Sequence, residues 1–435
     1  ALGQSGVRVL VTAQSFKASN YVEMIESVRA DLPALERVIV LGRDWKALID
    51  AGDAVDWDVL AAREATLDTD EPINIQYTSG TTGNPKGATL THHGILNNAR
   101  SIAEVLGYSE ADRVCIPVPL YHCFGMGIGN LGCVASGATM VYPAESFEPD
   151  ATLDAIAEDR CTSIYGVPTM FIAMLESPRF PTLDMTSLRT GIMAGAPCPV
   201  EVMKRVVNEM HAEEITIAYG MTETSPASTM TRRTDDLDRR TSTVGTALPH
   251  VEVKIVDPLT GATVQTREPG ELCSRGYLVM PGYWENPEAT AEAIDNAGWM
   301  HTGDLAVMDE EGYINIVGRS KDLVIRGGEN IYPREIEEVL FQHKAVAAVQ
   351  VIGVPDARMG EELMAWITFR EGDAASDDDL RTFCRERLAH FKVPRYWKAV
   401  DEFPMTVTGK VQKFKMREVA IAELGLEDAA GIQTA

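Results

Sequence analysis

Tyr77-Thr-Ser-Gly-Thr-Thr-Gly-Asn-Pro-Lys-Gly87 gathers three glycines, four Ser/Thr hydroxyls and one lysine within eleven positions. Glycine lets a backbone turn so that several N–H groups face one anion. The hydroxyls add donors, and Lys86 adds a point charge. Thr78, Ser79, Gly80, Thr81, Thr82, Gly83, Asn84, Pro85 and Lys86 therefore read as a phosphate-holding loop. A Walker loop needs Gly-x4-Gly-Lys-Ser/Thr, and this segment lacks that spacing. A Ser/Thr/Gly surface turn would share the composition. The strand-like Ile73–Tyr77 ahead of the loop and the lysine at its end distinguish the two.

Three further segments carry polar groups where a strand or turn ends. In Tyr219-Gly-Met-Thr-Glu-Thr224 a hydroxyl and a carboxylate follow the apolar run Ile215–Ala218, so Thr222 and Glu223 are candidates for phosphate and Mg²⁺ contacts. Taken alone, Glu223 reads more readily as a solvated or capping carboxylate than as a metal contact. His301-Thr-Gly-Asp304 reads as a tight turn, and Asp304 could accept two ribose hydroxyls or simply serve the turn. Pro404-Met-Thr-Val-Thr-Gly-Lys410 presents Lys410 on a flexible stem. A rival nucleotide signature, Gly127-Ile-Gly-Asn-Leu-Gly132 with Glu145 and Glu148 downstream, satisfies a nicotinamide-dependent oxidoreductase pattern. Pro119 and His122 intervene between the strand-like Val114–Pro117 and the first glycine, and the motif sits inside an apolar, helix-like stretch.

These groups need a scaffold. Up to about residue 225, apolar runs (Val7–Thr12, Arg37–Leu41, Ile73–Tyr77, Arg113–Pro117, Thr139–Tyr142, Thr162–Tyr165, Leu188–Met193, Ile215–Ala218) alternate with helix-like Tyr21–Leu32, Ile95–Leu106 and Pro199–His211. That pattern predicts an α/β fold of layers around largely parallel sheets. Over 231–318 short strands between Gly, Pro and Asp turns predict a small β-rich subdomain. An α+β tail follows: helix Pro333–Gln342, strands Val346–Ile352 and Leu363–Phe369, and helix Asp377–Leu388 capped by Ser376. The domain boundary is expected near residue 320, giving 1–319 and 320–435. Val7–Thr12 reads as a buried strand. The abrupt start at Ala1 implies missing upstream sequence, so that function would attach to the parent protein and this chain could be inactive.

The 435 residues carry 39 Lys+Arg against 64 Asp+Glu, a net charge of −25, which argues against a nucleic-acid surface. No apolar run is long enough for a transmembrane segment. Seven scattered cysteines without Cys-x-x-Cys argue against a disulfide framework or zinc ribbon and for a reducing, cytoplasm-like compartment.

The order TSGTTGNPKG, YGMTET, HTGD, GRSKD, Gly-Gly-Glu-Asn and TVTGK resembles the adenylate-forming superfamily of acyl-CoA synthetases, adenylation domains and luciferases over essentially the whole chain. The runs at 275–284 and 325–340 are similar to its medium-chain acyl-CoA synthetase branch. The resemblance implies a large N-terminal domain and a small mobile C-terminal AMP-binding-associated domain. It also implies an acid–thiol ligase that uses ATP, Mg²⁺ and coenzyme A on a carboxylic acid, with a medium-chain fatty acid expected.

By resemblance, Thr78–Lys86 would wrap the β- and γ-phosphates. Gly195, Ala196, Pro197, Tyr219 and Gly220 would enclose adenine. Thr222 and Glu223 would face the α-phosphate and Mg²⁺, and Asp304 and Arg319 would hold ribose. Lys410 would bridge carboxylate and α-phosphate. Lys321 or Asp322 would be the hinge, and Gly327, Gly328 and Glu329 would line the pantetheine tunnel. His122 aligns with a gate beside the acyl site, although a core histidine with one satisfied nitrogen would look the same. The acyl pocket is expected around His122, Tyr165–Thr169 and Ala218–Met221. The carrier-protein alternative shares the fold, but Tyr121–Phe124 lacks the Asp that pairs with an amino-acid amine. The expected location is cytoplasmic, or the mitochondrial matrix in a eukaryote. Oligomeric state is not encoded in any of these features.

Overall fold

Runs such as Ser163–Gly166 and Thr190–Ala194 are buried at every position, the pattern of strands covered on both faces. In the computed structural model, which describes residues 1–78, 85–405 and 411–430, they lie side by side within a seven-stranded sheet. Its order is Thr246–Ala247, Thr229–Met230, Glu214–Tyr219, Thr190–Ala194, Ser163–Gly166, Arg113–Cys115, Thr139–Val141. The last five run parallel, and the two at the other edge are antiparallel. Close packing is explicit at Gly191, where a Cβ would sit 2.2 Å from the Ile164 carbonyl oxygen.

The expected β-rich subdomain is a four-stranded antiparallel sheet, Val251–Val256, Gly270–Gly276, Met300–Met308 and Ile314–Arg319. One apolar cluster takes in Ile164, Met193 and Ile217 from the parallel sheet and Ile255, Leu272, Ala306 and Ile314 from the antiparallel one. The two sheets thus share a core. His301–Asp304, expected as a tight turn, instead lies within the nine-residue strand Met300–Met308. Thr302 and Gly303 have turn composition, but a register shift between Leu305 and Ala306 and a Gly303 φ of +70° absorb it inside the ladder.

The tail forms a third sheet, ordered Glu329–Ile331, Val324–Arg326, Gly360–Phe369, Val346–Asp356, with Tyr396–Ala399 added parallel to Gly360–Phe369. Pro333 opens the helix Pro333–Phe341, and Ser376 with Asp379 forms a capping box on Asp377–Arg385, both as expected.

The chain divides into two compact units, Ala1–Ile95 with Met280–Ile294, and Leu96–Val279 with Asp295–Ala435. The first contains the three-stranded sheet Gly282–Tyr283, Lys86–Thr91, Pro72–Thr78 and the parallel pair Val9–Thr12 and Arg37–Val40. The opening strand is not buried as its composition suggested. Leu10 and Val38 pack on Ile25, Leu32 and Leu35, while Val9 and Val11 point outward and are half exposed, because successive strand residues face opposite sides. The helix-like reading of Gly127–Gly132 is correct: Phe124–Leu131 is a π-helical segment continuing into Gly132–Ser136. Its glycines do not form a strand-to-helix turn, as a dinucleotide fingerprint requires.

Glu362 is buried, and its two oxygens accept from Arg326 Nε and Nη2, each at 2.8 Å. Removing one partner of a buried pair leaves an uncompensated charge and costs about 3–5 kcal/mol. Arg395, 3.8 Å from the same carboxylate, keeps part of the compensation, so Arg326→Met is expected to lower stability in chemical denaturation by less than that, on the order of 1–3 kcal/mol. The double variant Arg326→Met with Glu362→Leu should recover most of it.

Candidate active site

Parallel strands end on one edge, and in open α/β sheets ligands bind beyond those carboxyl ends. Register sets Ala194 beside Ala218 and Met193 beside Gly166. The segments that leave this edge are Gly195-Ala196-Pro197 and Tyr219–Thr224, the two predicted to enclose a nucleotide, together with 116–123, which carries His122. Gly195 has φ +85°, a left-handed turn directly after its strand.

The loop after Tyr219 is tightly determined. A Cβ on Gly220 would lie 2.0 Å from the Pro226 carbonyl oxygen, so only glycine fits. Thr224 Oγ1 accepts from the Met221 N–H at 3.1 Å, closing the short 3-10 turn Thr222–Thr224. Ser225 Oγ donates to the Leu278 carbonyl at 2.7 Å. Asn98, fully buried on the helix His92–Leu106, donates to the Ala227 carbonyl at 2.7 Å and accepts from the Ala227 N–H at 3.1 Å. Glu223 is 6% exposed and Thr222 9%, which disposes of the solvated-carboxylate reading of Glu223.

Two strands from different sheets meet at Asp304. Its Oδ2 accepts from the Tyr219 hydroxyl at 2.7 Å, and its Oδ1 from Arg319 Nε at 2.9 Å. Asp304 and Arg319 are direct cross-strand partners. Burial, and then the Asp304 charge, raises the Tyr219 phenol far above its ordinary range and keeps it a donor. The Asp304 N–H donates to Thr302 Oγ1 at 3.1 Å, and the Gly303 N–H to Glu271 Oε1 at 2.9 Å.

His122 is half-buried, and its Nδ1 accepts from the Phe124 N–H at 3.1 Å. Next to it, Cys123 Sγ lies 3.6 Å from Thr222 Oγ1, so the two loops touch. Phe124 stacks on Tyr165 at 5.5 Å, and Tyr165 and Ala218 share one apolar cluster.

The other predicted residues fall elsewhere. Thr78 and Lys86 are paired residues of a hairpin and bracket the glycine loop, with Thr78 Oγ1 donating to the Lys86 carbonyl at 3.3 Å. Lys86 Nζ lies 5.0 Å over the Tyr283 ring. Ser79, Gly80, Thr81, Thr82, Gly83 and Asn84 lie outside the described residues, and so does Lys410. The segment holding Lys410 is bracketed by a bridge between Met405 and Val411. Lys321 and Asp322 occupy the short turn Ser320–Asp322 between Ile314–Arg319 and Val324–Arg326. Gly327 and Gly328, with φ of +61° and +87°, form the two-residue hairpin turn before Glu329.

Asn98 and Glu271 were missed. An asparagine inside a helical run, at a position of poor helix propensity, was the available signal for the first. Asn98→Ala would leave a donor and an acceptor of Ala227 buried and unpaired, at about 1–3 kcal/mol each. The expected result is a denaturation free energy lower by that order and faster amide exchange at Ala227, read by hydrogen exchange.

Comparison with known proteins agrees with this geometry. The AMP-binding enzyme family matches residues 1–284, and the AMP-binding enzyme C-terminal domain matches 335–410. The chain is 48% identical to the Bacillus subtilis protein YngI over 98% of this chain and 81% of that one. It is 42% identical to the mitochondrial medium-chain acyl-CoA ligase ACSF2 of Danio rerio, over 98% of this chain and 74% of the relative. Among solved structures, ATP-bound MatB from Rhodopseudomonas palustris superposes with a TM-score of 0.84 at 32% identity, covering 96% of this chain and 80% of that one. With the strand-end loops, the buried Thr222–Glu223 pair and the Tyr219–Asp304–Arg319 cluster in place, the family assignment rests on structure as well as sequence: the chain belongs to the AMP-binding enzymes.

Proposed function

We propose that this chain is an AMP-forming acid–thiol ligase, which joins a carboxylic acid to ATP as an acyl-adenylate, releases pyrophosphate, and passes the acyl group to the thiol of coenzyme A. The observation that carries this reading is Asp304, held from two sides at the carboxyl edge of a parallel sheet. An ionised carboxylate offers about four lone-pair sites. With one on each oxygen taken by Tyr219 and Arg319, one on each remains for the neighbouring hydroxyls of a ribose. Gly195–Pro197 and Tyr219-Gly220 would then enclose the adenine.

A carboxylate is a weak electrophile and is repelled by the triphosphate it must attack. Adenylation therefore needs neutralised charge and in-line placement rather than a covalent nucleophile. The glycine loop with Lys86 would hold the β- and γ-phosphates, and Lys410 would bring the acid and the α-phosphate together. Glu223 and Thr222 supply the oxygen donors that a hard cation such as Mg²⁺ prefers, and Mg²⁺ bound there would offset phosphate charge. Transfer to the thiol calls for a different wall over the same site. A body comprising residues 320–435, turning at Lys321 or Asp322 against 1–319, would exchange Lys410 for Gly327, Gly328 and Glu329. Within 1–319, residues 231–318 form the β-rich part of the nucleotide wall.

The relative from Danio rerio is a medium-chain acyl-CoA ligase by name. The apolar Phe124–Tyr165 stack beside His122, and the lack of an acidic residue in Tyr121–Phe124, favour an unsubstituted acyl chain over an amino acid. We therefore take the acid to be a medium-chain fatty acid. All seven cysteines are free and buried, which fits a reducing compartment: the cytoplasm, or the mitochondrial matrix in a eukaryote.

A panel of acids with ATP and Mg²⁺, with and without coenzyme A, tests the reading. Pyrophosphate release should require the acid, peak at medium chain length, and be matched by thioester only when coenzyme A is present. Thioester formation on a carrier protein but not on coenzyme A would favour the carrier-dependent reading instead. Lys410→Ala should lose on the order of 10²–10³ in acid-dependent pyrophosphate release. The same variant should convert supplied acyl-adenylate to thioester at a near-normal rate. Equal loss in both half-reactions would contradict the exchange of walls.

A further inference from the structure

We propose that Glu271, Cys273 and His301 form a site for a borderline divalent transition-metal ion of the Zn²⁺ class, built into the antiparallel sheet across the strand that carries Asp304 and its neighbour Gly270–Gly276. The sheet sets the donors together. Cys273 and His301 are direct cross-strand partners, and Glu271, two residues from Cys273, shares its face of the strand. One carboxylate oxygen, the thiol sulfur and an imidazole nitrogen all lie within 4.8 Å of one another.

The separations suit tetrahedral coordination. Bonds of about 2.3 Å to sulfur and 2.0–2.1 Å to nitrogen place those two atoms about 3.6 Å apart. Cys273 Sγ and His301 Nδ1 are 3.6 Å apart. Glu271 Oε2 and His301 Nδ1, now hydrogen-bonded at 2.9 Å, would open by roughly half an ångström to admit an ion. On the far side of the ring, Asp295 Oδ2 lies 3.8 Å from His301 Nε2, where an outer carboxylate can orient a ligating histidine. His301 is 32% exposed, so the cluster opens to solvent, and water can take the fourth position.

The donor set also selects the ion. Thiolate with imidazole suits zinc-like metals, whereas Mg²⁺ takes oxygen ligands. Binding forms one bond each to sulfur, nitrogen and oxygen; the Cys273 thiol gives its proton to solvent, and the proton now lying between Nδ1 and Glu271 Oε2 leaves for Nε2 or solvent. A Glu271–His301 hydrogen bond serving only to hold the strand would give no role to the sulfur. None of the three residues belongs to the proposed nucleotide or acyl contacts, so the site stands or falls independently of the ligase reading.

The test uses Co²⁺ as a spectroscopic probe for Zn²⁺, titrated into the chelator-treated full chain in the presence of excess Mg²⁺. The expected result is one ion per chain, with a thiolate-to-cobalt charge-transfer band and tetrahedral visible absorption that added Zn²⁺ bleaches. Cys273→Ser should abolish the charge-transfer band while leaving acid-dependent pyrophosphate release unchanged. Asp295→Asn should weaken binding by roughly 10–100-fold. Octahedral cobalt spectra without the sulfur band, or a Cys273→Ser protein with the wild-type band, would overturn the proposal.

Discussion

The Asp304 carboxylate is the joint on which this architecture depends. One oxygen is held by a phenol from the parallel sheet, the other by a guanidinium from the antiparallel sheet. Neither sheet alone could fix the group, because a carboxylate on a single strand end turns about its own side-chain bonds. Two charge-assisted hydrogen bonds from opposite directions remove that freedom before any ligand arrives, and such bonds are shorter and stronger than neutral ones. The apolar cluster shared by the two sheets keeps the donors at their distance. Substitutions in that cluster far from the site would therefore reach Asp304 through the sheet spacing.

Much of the scaffold was readable from residue order. Strands buried on both faces appear as continuous apolar runs, and each predicted run of the parallel sheet overlaps a strand, with ends differing by one or two residues. Ser376 and Pro333 were legible because capping is local. What escaped was long-range. Thr302-Gly303 looks like a turn to any local reading, and only pairing with Gly270–Gly276 and Ile314–Arg319 draws it into a ladder. Val9–Thr12 has the composition of a buried strand, but one of its faces has no apolar partner among the described residues.

The site shows the same division. Gly220 could be singled out as a glycine beside Tyr219, but the Pro226 carbonyl that excludes any other residue is six positions away and invisible in a motif. Asn98 lies 129 residues from the backbone it holds. Glu223 was ambiguous on paper because a carboxylate at a strand end is more often solvated than functional. Burial at 6% excludes the solvated reading. Order and type reveal which groups a chain carries, whereas burial and partners reveal which of them are held in place.

A body that is to turn as a unit, as proposed for residues 320–435, needs strong contacts inside and replaceable ones outside. Inside, Arg326 pairs with the buried Glu362, and Lys413 donates to the buried Glu337 at 2.7 Å and to the Val351 carbonyl at 3.0 Å. These links join the strand Val324–Arg326 to Gly360–Phe369, and the helix Lys413–Leu424 to the helix Pro333–Phe341 and the strand Val346–Asp356. Two polar contacts from the tail to earlier segments are of another kind. Arg334 donates to the Ile316 carbonyl at 2.8 Å, and Arg370 meets Glu176 at 3.2 Å. The second is an exposed pair, which contributes little. Burial raises the Glu338 carboxyl above its usual range. The turn proposed at Ser320–Asp322 would therefore have to exchange the Arg334–Ile316 and Arg370–Glu176 contacts for others.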